Sequence, residues 1–215
     1  DEVLGAGGTI SKFVRQKCSI QIGISSTGIT SKKNKIGSVK INNDLIKLRK
    51  DFVKAMKILG VNEKNLILGN FKDNENDKHS LLELIHWVES IIKKTKPDLI
   101  ITHHKYCTNI DHRYLHEAVV VATRPLDKKK ISVIASEIPS STGYLKPSNF
   151  DPNLYISISP SDLKRKIKAM ESYSTEKRKY PHPRSSESLR AYAVVRGVNS
   201  FNKYAEAFII HQQFA

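Results

Sequence analysis

Two apolar periods alternate along this chain, and that alternation limits the fold more than any other feature. Ile20, Ile22 and Ile24 repeat every second residue, as a short strand does. Leu45, Leu48, Phe52, Ala55 and Leu59 then recur at helical spacing, and Gly60 follows where a helix would end. Leu66-Ile67-Leu68 reads as a strand, and Leu81, Leu84, Val88 and Ile91 mark a helix stopped by Lys96-Pro97. Leu99-Ile100-Ile101 reads as a buried strand, residues 114–123 as a helix ended by Arg124-Pro125, and residues 131–135 as another strand. Ser159-Pro160-Ser161-Asp162 has the cap, the first-position proline and the reciprocal acid of a helix start. A last helix is expected over about 186–196, closed by Gly197. Strand–helix–strand repetition predicts an α/β fold: a Rossmann-like, mostly parallel sheet with helices on both faces. One domain over residues 1–215 accommodates a chain of this length. Gly5, Gly7 and Gly8, just before the apolar stretch 10–14, read as the turn between a first strand and its helix. That first strand is missing from the sequence, so the domain is expected to be incomplete at its start.

Sheets of this kind bind ligands in loops at the carboxyl ends of their strands. Segments 25–40 and 102–112 occupy such positions, and the first, rich in Ser, Thr, Gly and Lys, is expected to be mobile. No apolar run approaches the ~20 residues that span a bilayer. Two cysteines, Cys18 and Cys107, give no disulfide framework, which points to a reducing, cytoplasmic compartment. No signal peptide is visible, but the chain opens on Asp1 and not on Met, so a leader is compatible with that start. The 36 Lys+Arg against 21 Asp+Glu give a net charge of +15, which suggests an acidic partner such as a phosphorylated sugar, an anionic lipid surface or nucleic acid. The basic residues are scattered in small groups, and RNP, zinc-finger and basic-zipper patterns are absent, which argues against nucleic acid.

The densest polar cluster is Thr102-His103-His104-Lys105-Tyr106-Cys107-Thr108-Asn109-Ile110-Asp111-His112, with His116 one turn later. Four histidines, a carboxylate and a thiol at a strand end suggest metal or acid–base chemistry. His112 and His116 stand at a spacing that lets two rings share a metal; the same residues also read as a run of hydrogen-bonded loop histidines. Asp1-Glu2 forms an acidic pair before glycines that let backbone approach a ligand closely, or that simply make a tight turn. Tyr180-Pro181-His182-Pro183-Arg184-Ser185 is a proline-braced segment. In it Arg184 either grips an anionic or polyhydroxy substrate or belongs to a stiff connection.

Together these pieces resemble the LmbE/PIG-L family of zinc-dependent deacetylases. That family's first motif, His-Pro-Asp-Asp-Glu followed by glycines, is matched from its second Asp onward by Asp1-Glu2-Val3-Leu4-Gly5-Ala6-Gly7-Gly8-Thr9. Its second motif, Asp-x-Asn-x-Asp-His-Arg in bacterial members, is matched by Cys107-Thr108-Asn109-Ile110-Asp111-His112-Arg113 except at Cys107. Asp73-Asn74 with Asp77, Lys96-Pro97-Asp98, Ala122-Thr123-Arg124-Pro125, Ser140-Ser141-Thr142, the segment 180–185 and Tyr204-Ala205-Glu206-Ala207-Phe208 fit as well, so the resemblance covers nearly the whole chain.

The resemblance implies zinc held by Asp1 and His112 with a histidine upstream of Asp1, and a general base one residue before Asp1. The chain as written is therefore expected to be inactive and a longer chain active. It implies a substrate among N-acetylated sugars of N-acetylglucosamine type, to which the basic balance would add a phosphate. Asp111 is expected to orient its neighbours, and Asp73 and Arg184 to bind substrate. Asn109 stands where many relatives carry a histidine that assists the oxyanion or the leaving amine. An amide donates a hydrogen bond but is no acid at neutral pH, so His182 is the candidate proton donor. Cys107 in place of Asp makes the local charge less negative, and Thr27-Gly28 stands where relatives often carry Asp-Gly. Two other classes compete: a non-catalytic member that binds a sugar, and a basic nucleic-acid-binding module.

Overall fold

The glycines near the start lie within a helix and not in a turn. In the computed structural model, which describes residues 1–26, 38–126, 130–145 and 150–214, α1 runs Glu2–Arg15 and buries Gly5, Gly7 and Gly8. Packing explains a helix built around glycine despite its poor propensity. A Cβ on Gly5 would lie 2.7 Å from Ile138 Cδ1 and from Ser136 Oγ, and one on Gly8 would lie 2.6 Å from Ile158 Cδ1. The bare backbone lets the helix approach its neighbours more closely than any side chain would allow.

The other elements follow the apolar periods: β1 (Ile22–Ser26), α2 (Ser38–Leu59), β2 (Leu66–Phe71), α3 (Leu81–Thr95), β3 (Leu99–His103), α4 (Ile110–Ala122), β4 (Ser132–Ser136), β5 (Leu154–Ser157), α5 (Pro160–Glu171), α6 (Ser186–Val198) and β6 (Ala205–Gln212). Gly60 ends α2 with a φ of +92°, the left-handed conformation that glycine adopts without strain. The reciprocal cap expected at Ser159 is present: its hydroxyl accepts the Asp162 N–H, and the Asp162 carboxylate accepts the Ser159 N–H. Helix α6 continues through Gly197, where a Cβ would meet the Asn202 carbonyl at 2.6 Å as the chain folds back. The loop expected to be mobile lies mostly at 27–37, outside the described residues, as do Thr27 and Gly28.

Strands β1 and β2 pair in parallel, and a second sheet has the order β3-β4-β6-β5. Within it β3 and β4 are parallel, whereas β6 runs antiparallel to both β4 and β5. Helices cover both faces, and β4 makes this plain because its side chains alternate. Val133 packs with α3 and α4 residues such as Leu84, Val88 and Val119, whereas Ile134 packs with Val3, Ile10 and Met56 of α1 and α2. The fold is thus the α/β class predicted, with an antiparallel half added at one side. No helix among the described residues is long and apolar enough to cross a membrane.

A buried charge cluster ties α1 into this frame. The Glu206 carboxylate on β6 accepts the Gly8 N–H at 2.9 Å, the Thr9 N–H at 2.6 Å and the Lys166 ammonium of α5 at 2.6 Å. Both charged side chains are almost fully buried. Removing one member of such a pair strands the other in a low dielectric. Glu206→Ala is expected to lose about 3–5 kcal/mol of stability in urea unfolding. Lys166→Met should lose clearly less, because the carboxylate keeps two N–H donors. Equal losses would mean that the ion pair alone matters.

Candidate metal centre

Three element ends deliver the candidate site. Asp1 directly precedes α1 without capping it through its side chain, His103 is the last residue of β3, and His112 lies in the first turn of α4. Helix α4 starts at Ile110, four residues ahead of the expected start, because the Asn109 side chain accepts the Asp111 N–H at 2.8 Å. Asp111 and His112 therefore sit on a rigid helical turn rather than in a loop.

The His112 ring stacks on His103 with centroids 3.9 Å apart and planes 14° from parallel. Its Nε2 lies 2.8 Å from Asp1 Oδ2. One donor atom from each of Asp1, His103 and His112 falls within 4.8 Å of the other two. The fit to a metal ion rests on the state of His103. Its Nδ1 is buried and makes no hydrogen bond, a costly arrangement for a polar atom unless something else occupies its lone pair. Burial first, and the neighbouring His112 second, hold its pKa well below the usual histidine range. A neutral imidazole presents a lone pair without first losing a proton. Two imidazoles and a carboxylate are a donor set that a divalent metal accepts.

The surrounding residues fix the ligands. Cys107, fully buried, places Sγ 3.0 Å from His112 Nδ1 and 3.1 Å from Ser141 Oγ. Burial would raise the Cys107 thiol, but the contacts with His112 and Ser141 outweigh it and lower the pKa. Arg113 donates to the Cys107 and Thr108 carbonyls at 2.8 and 3.0 Å, which holds the loop closed. Asp111 uses both carboxylate oxygens: Oδ2 accepts the Asn74 N–H at 2.7 Å and Oδ1 the Asn76 N–H at 3.1 Å. It thereby binds the 72–78 loop, which carries half-buried Asp73, to the start of α4.

The other sequence candidates fall elsewhere. His112 and His116 do not share a metal: His116 Nδ1 donates to the His103 carbonyl at 2.8 Å, and its ring meets His211 edge-on at 5.5 Å. His104 packs edge-on against Tyr106 and Phe150, as an ordinary turn histidine. His182 is exposed, and its Nδ1 accepts the Arg184 N–H at 3.1 Å. The Arg184 guanidinium pairs with Glu176 while its buried Nε has no partner. Neither residue belongs to the metal group. A groove of about 360 Å³ along α4 is lined by Lys105, Arg113, Tyr114, His116, Glu117 and His211 among others, and by none of the three residues of the candidate metal group.

Residues 1–123, more than half of the chain, match the family PIG-L, described as GlcNAc-PI de-N-acetylase. The chain belongs to the PIG-L family. No curated protein sequence matches it. Solved structures share its fold at low identity. The N,N'-diacetylchitobiose deacetylase of Pyrococcus horikoshii superposes with a TM-score of 0.73 at 18% identity, over 98% of this chain and 79% of that one. The A40926 pseudoaglycone deacetylase gives 0.74 at 17%, over 100% and 94%. The 4-carboxy-2-hydroxymuconate hydratase of Pseudomonas putida gives 0.73 at 19%, over 100% and 93%. Within this PIG-L chain the sequence motifs marked Asp1 and His112, and the fold brings the two together. His103 escaped as a candidate ligand, although its place at the carboxyl end of a strand was the signal. Ser141 escaped because nothing local links it to Cys107.

Burial lowers the pKa of His116 from 6.5 to about 4. Between those values the unfolded chain takes up a proton that the folded chain refuses, so stability falls as pH drops from about 6.5 to about 4 and this contribution levels off below. Urea unfolding of chelator-treated protein across that range checks it, and His116→Asn should flatten the slope.

Proposed function

We propose that this chain is a zinc-dependent hydrolase that removes the acetyl group from an N-acetylated amino sugar, of N-acetylglucosamine type, carried on a larger conjugate. The convergence of Asp1, His103 and His112 carries the reading, in a family described by de-N-acetylation. Two solved structures with this fold are described as deacetylases, of N,N'-diacetylchitobiose and of the A40926 pseudoaglycone. Two nitrogens and a carboxylate suit zinc, and three protein ligands leave a position open, as catalytic zinc sites do. A zinc ion held there supplies Lewis-acid chemistry, making water a nucleophile at neutral pH and polarising the acetamide carbonyl.

The chain's own residues do the rest of the proposed work. Asp111 braces the 72–78 loop and brings Asp73 towards the sugar. Asn109 caps α4 with its oxygen and keeps its amide N–H groups to donate to the developing oxyanion. His182 is the proposed proton donor to the leaving amine, a role it can fill only as the imidazolium, with Nδ1 protonated and its bond from the Arg184 N–H given up. Arg184, steered by Glu176, contacts sugar hydroxyls. The Lys105 and Arg113 cations, which share the groove along α4, support a phosphate on the substrate, as does the net charge of +15. The two free cysteines support a reducing compartment such as the cytoplasm.

Zinc content and acetate release from N-acetylglucosamine conjugates test the reading, in protein that also carries the family motif's His-Pro-Asp ahead of Asp1, since the chain as written is expected to lack the base. About one tightly held zinc per chain and zinc-dependent acetate release are expected. Folded, zinc-loaded protein that releases no acetate from any such conjugate would sink it in favour of a non-catalytic sugar binder. His182→Ala should lower kcat about 10²-fold or more, the usual worth of a general acid; an unchanged rate removes His182 from the mechanism. Lys105→Ala should raise KM for a phosphorylated substrate and leave the unphosphorylated one unaffected.

A further inference from the structure

Cys107 stands where the resembling bacterial sequences carry an aspartate, and the structure places it against a candidate metal ligand. Its Sγ is 3.0 Å from His112 Nδ1, on the far side of the ring from Asp1. It is also 3.1 Å from Ser141 Oγ and 3.4 Å from the Ser141 carbonyl, with no solvent access. A ligand histidine turns one nitrogen to the metal, and the partner of its other nitrogen decides which tautomer it adopts. A carboxylate at this position only accepts, so it holds the proton on Nδ1 at all times. A thiol both donates and accepts.

We infer that Cys107 is the positioning residue of His112, and that its thiol serves the ring in both tautomers. With Nε2 bound to a metal, the ring carries its proton on Nδ1 and donates it to the sulfur, while the S–H turns to Ser141. Without the metal, Nε2–H donates to Asp1 across 2.8 Å, and the S–H turns back to Nδ1. Ser141 is the second acceptor that makes this exchange possible: its carbonyl also takes the Thr108 N–H at 2.9 Å, and the Thr108 hydroxyl at 3.1 Å, so it is held in place. The thiol therefore stabilises the metal-free centre, which a carboxylate would not, and holds the metal less tightly than a carboxylate would.

This inference rests on the metal reading above, and the test separates the two. Zinc affinity is measured by chelator competition for the wild type, Cys107→Ala, Cys107→Ser and Cys107→Asp, with thermal melting alongside. Cys107→Ala should bind zinc about 10–100-fold more weakly, the usual effect of losing the partner of a metal-bound histidine. Cys107→Ser, whose hydroxyl also donates and accepts, should stay close to the wild type, and Cys107→Asp should bind more tightly. A Cys107→Ala protein that melts lower but keeps wild-type zinc affinity overturns the inference, because a purely structural cysteine would behave so. If the wild type takes up no zinc, the metal reading fails on its own account. The nitrogen resonances of the His112 ring in the metal-free protein then decide: they should shift in Cys107→Ala and not in Cys107→Ser. Resonances unmoved in Cys107→Ala overturn the inference.

Discussion

The Glu206 carboxylate is the contact on which the site depends. It is 4% exposed, and it binds α1 to β6 and, through Lys166, to α5. Asp1 reaches His112 only because α1 lies at this depth and angle. The approach requires glycine: a Cβ on Gly8 would sit 3.1 Å from Glu206 Oε1 and closer still to Ile158. A second tie acts further along the same helix, where Ser11 and Arg15 both reach the Asp162 carboxylate of α5 at 2.9 and 3.0 Å. Asp162 also caps its own helix, so one carboxylate fixes the start of α5 and the side of α1. Two buried acids thus set the position of the residue that begins the candidate metal group.

The electrostatics of the centre follow from burial more than from charge. The chain carries a net charge of +15, yet His103, His104 and His116 are held towards the neutral form. Burial depresses His103, His104 and His116 alike, and nearby cations or rings add to the effect. Neutral rings do not repel a metal ion, and their lone pairs remain available. Asp1 is the one carboxylate in the candidate group, so a divalent ion held there would keep net positive charge and hence Lewis acidity. Asp111, which would otherwise neutralise more of that charge, has both oxygens committed to backbone N–H groups.

Much of this architecture was legible in the chain because local signals and tertiary contacts agree there. The helical period of Leu45 to Leu59, the cap at Ser159 and the strand before His103 all predicted elements that form. Local signals fail where packing overrides them. Gly5, Gly7 and Gly8 read as a turn because glycine is a poor helix former, but their reason lies in Ile138, Ile158 and Glu206, more than a hundred residues away. Strands β5 and β6 show weak periodicity because much of β6 is buried on both sides, and the pattern of Ala205 to Phe208 is continuous rather than alternating. The site divides in the same way. Asp1 and His112 were visible as motif residues. His103 and Ser141 acquire meaning only when β3, α4 and the loop after β4 converge.

The fold by itself does not select the reaction, since a hydratase and several deacetylases share it. Selection must come from the groups that can move a proton near the open metal position. Hydrolysis of an acetamide needs a proton for the departing nitrogen, whereas hydration of a double bond needs one delivered to carbon. Among the groups around the centre, Asp111 is fully engaged, Asn109 has no acidic proton at neutral pH, and His116 spends its Nδ1 proton on the His103 carbonyl. His182 stands apart from them: it is exposed, and its Nδ1 accepts the Arg184 N–H. A surface loop is also the place from which a group can meet a bulky conjugate without crossing the buried histidine layer. The proposed division of labour is therefore an aspartate and two histidines for the metal, and an exposed histidine, acting as the imidazolium, for the amine.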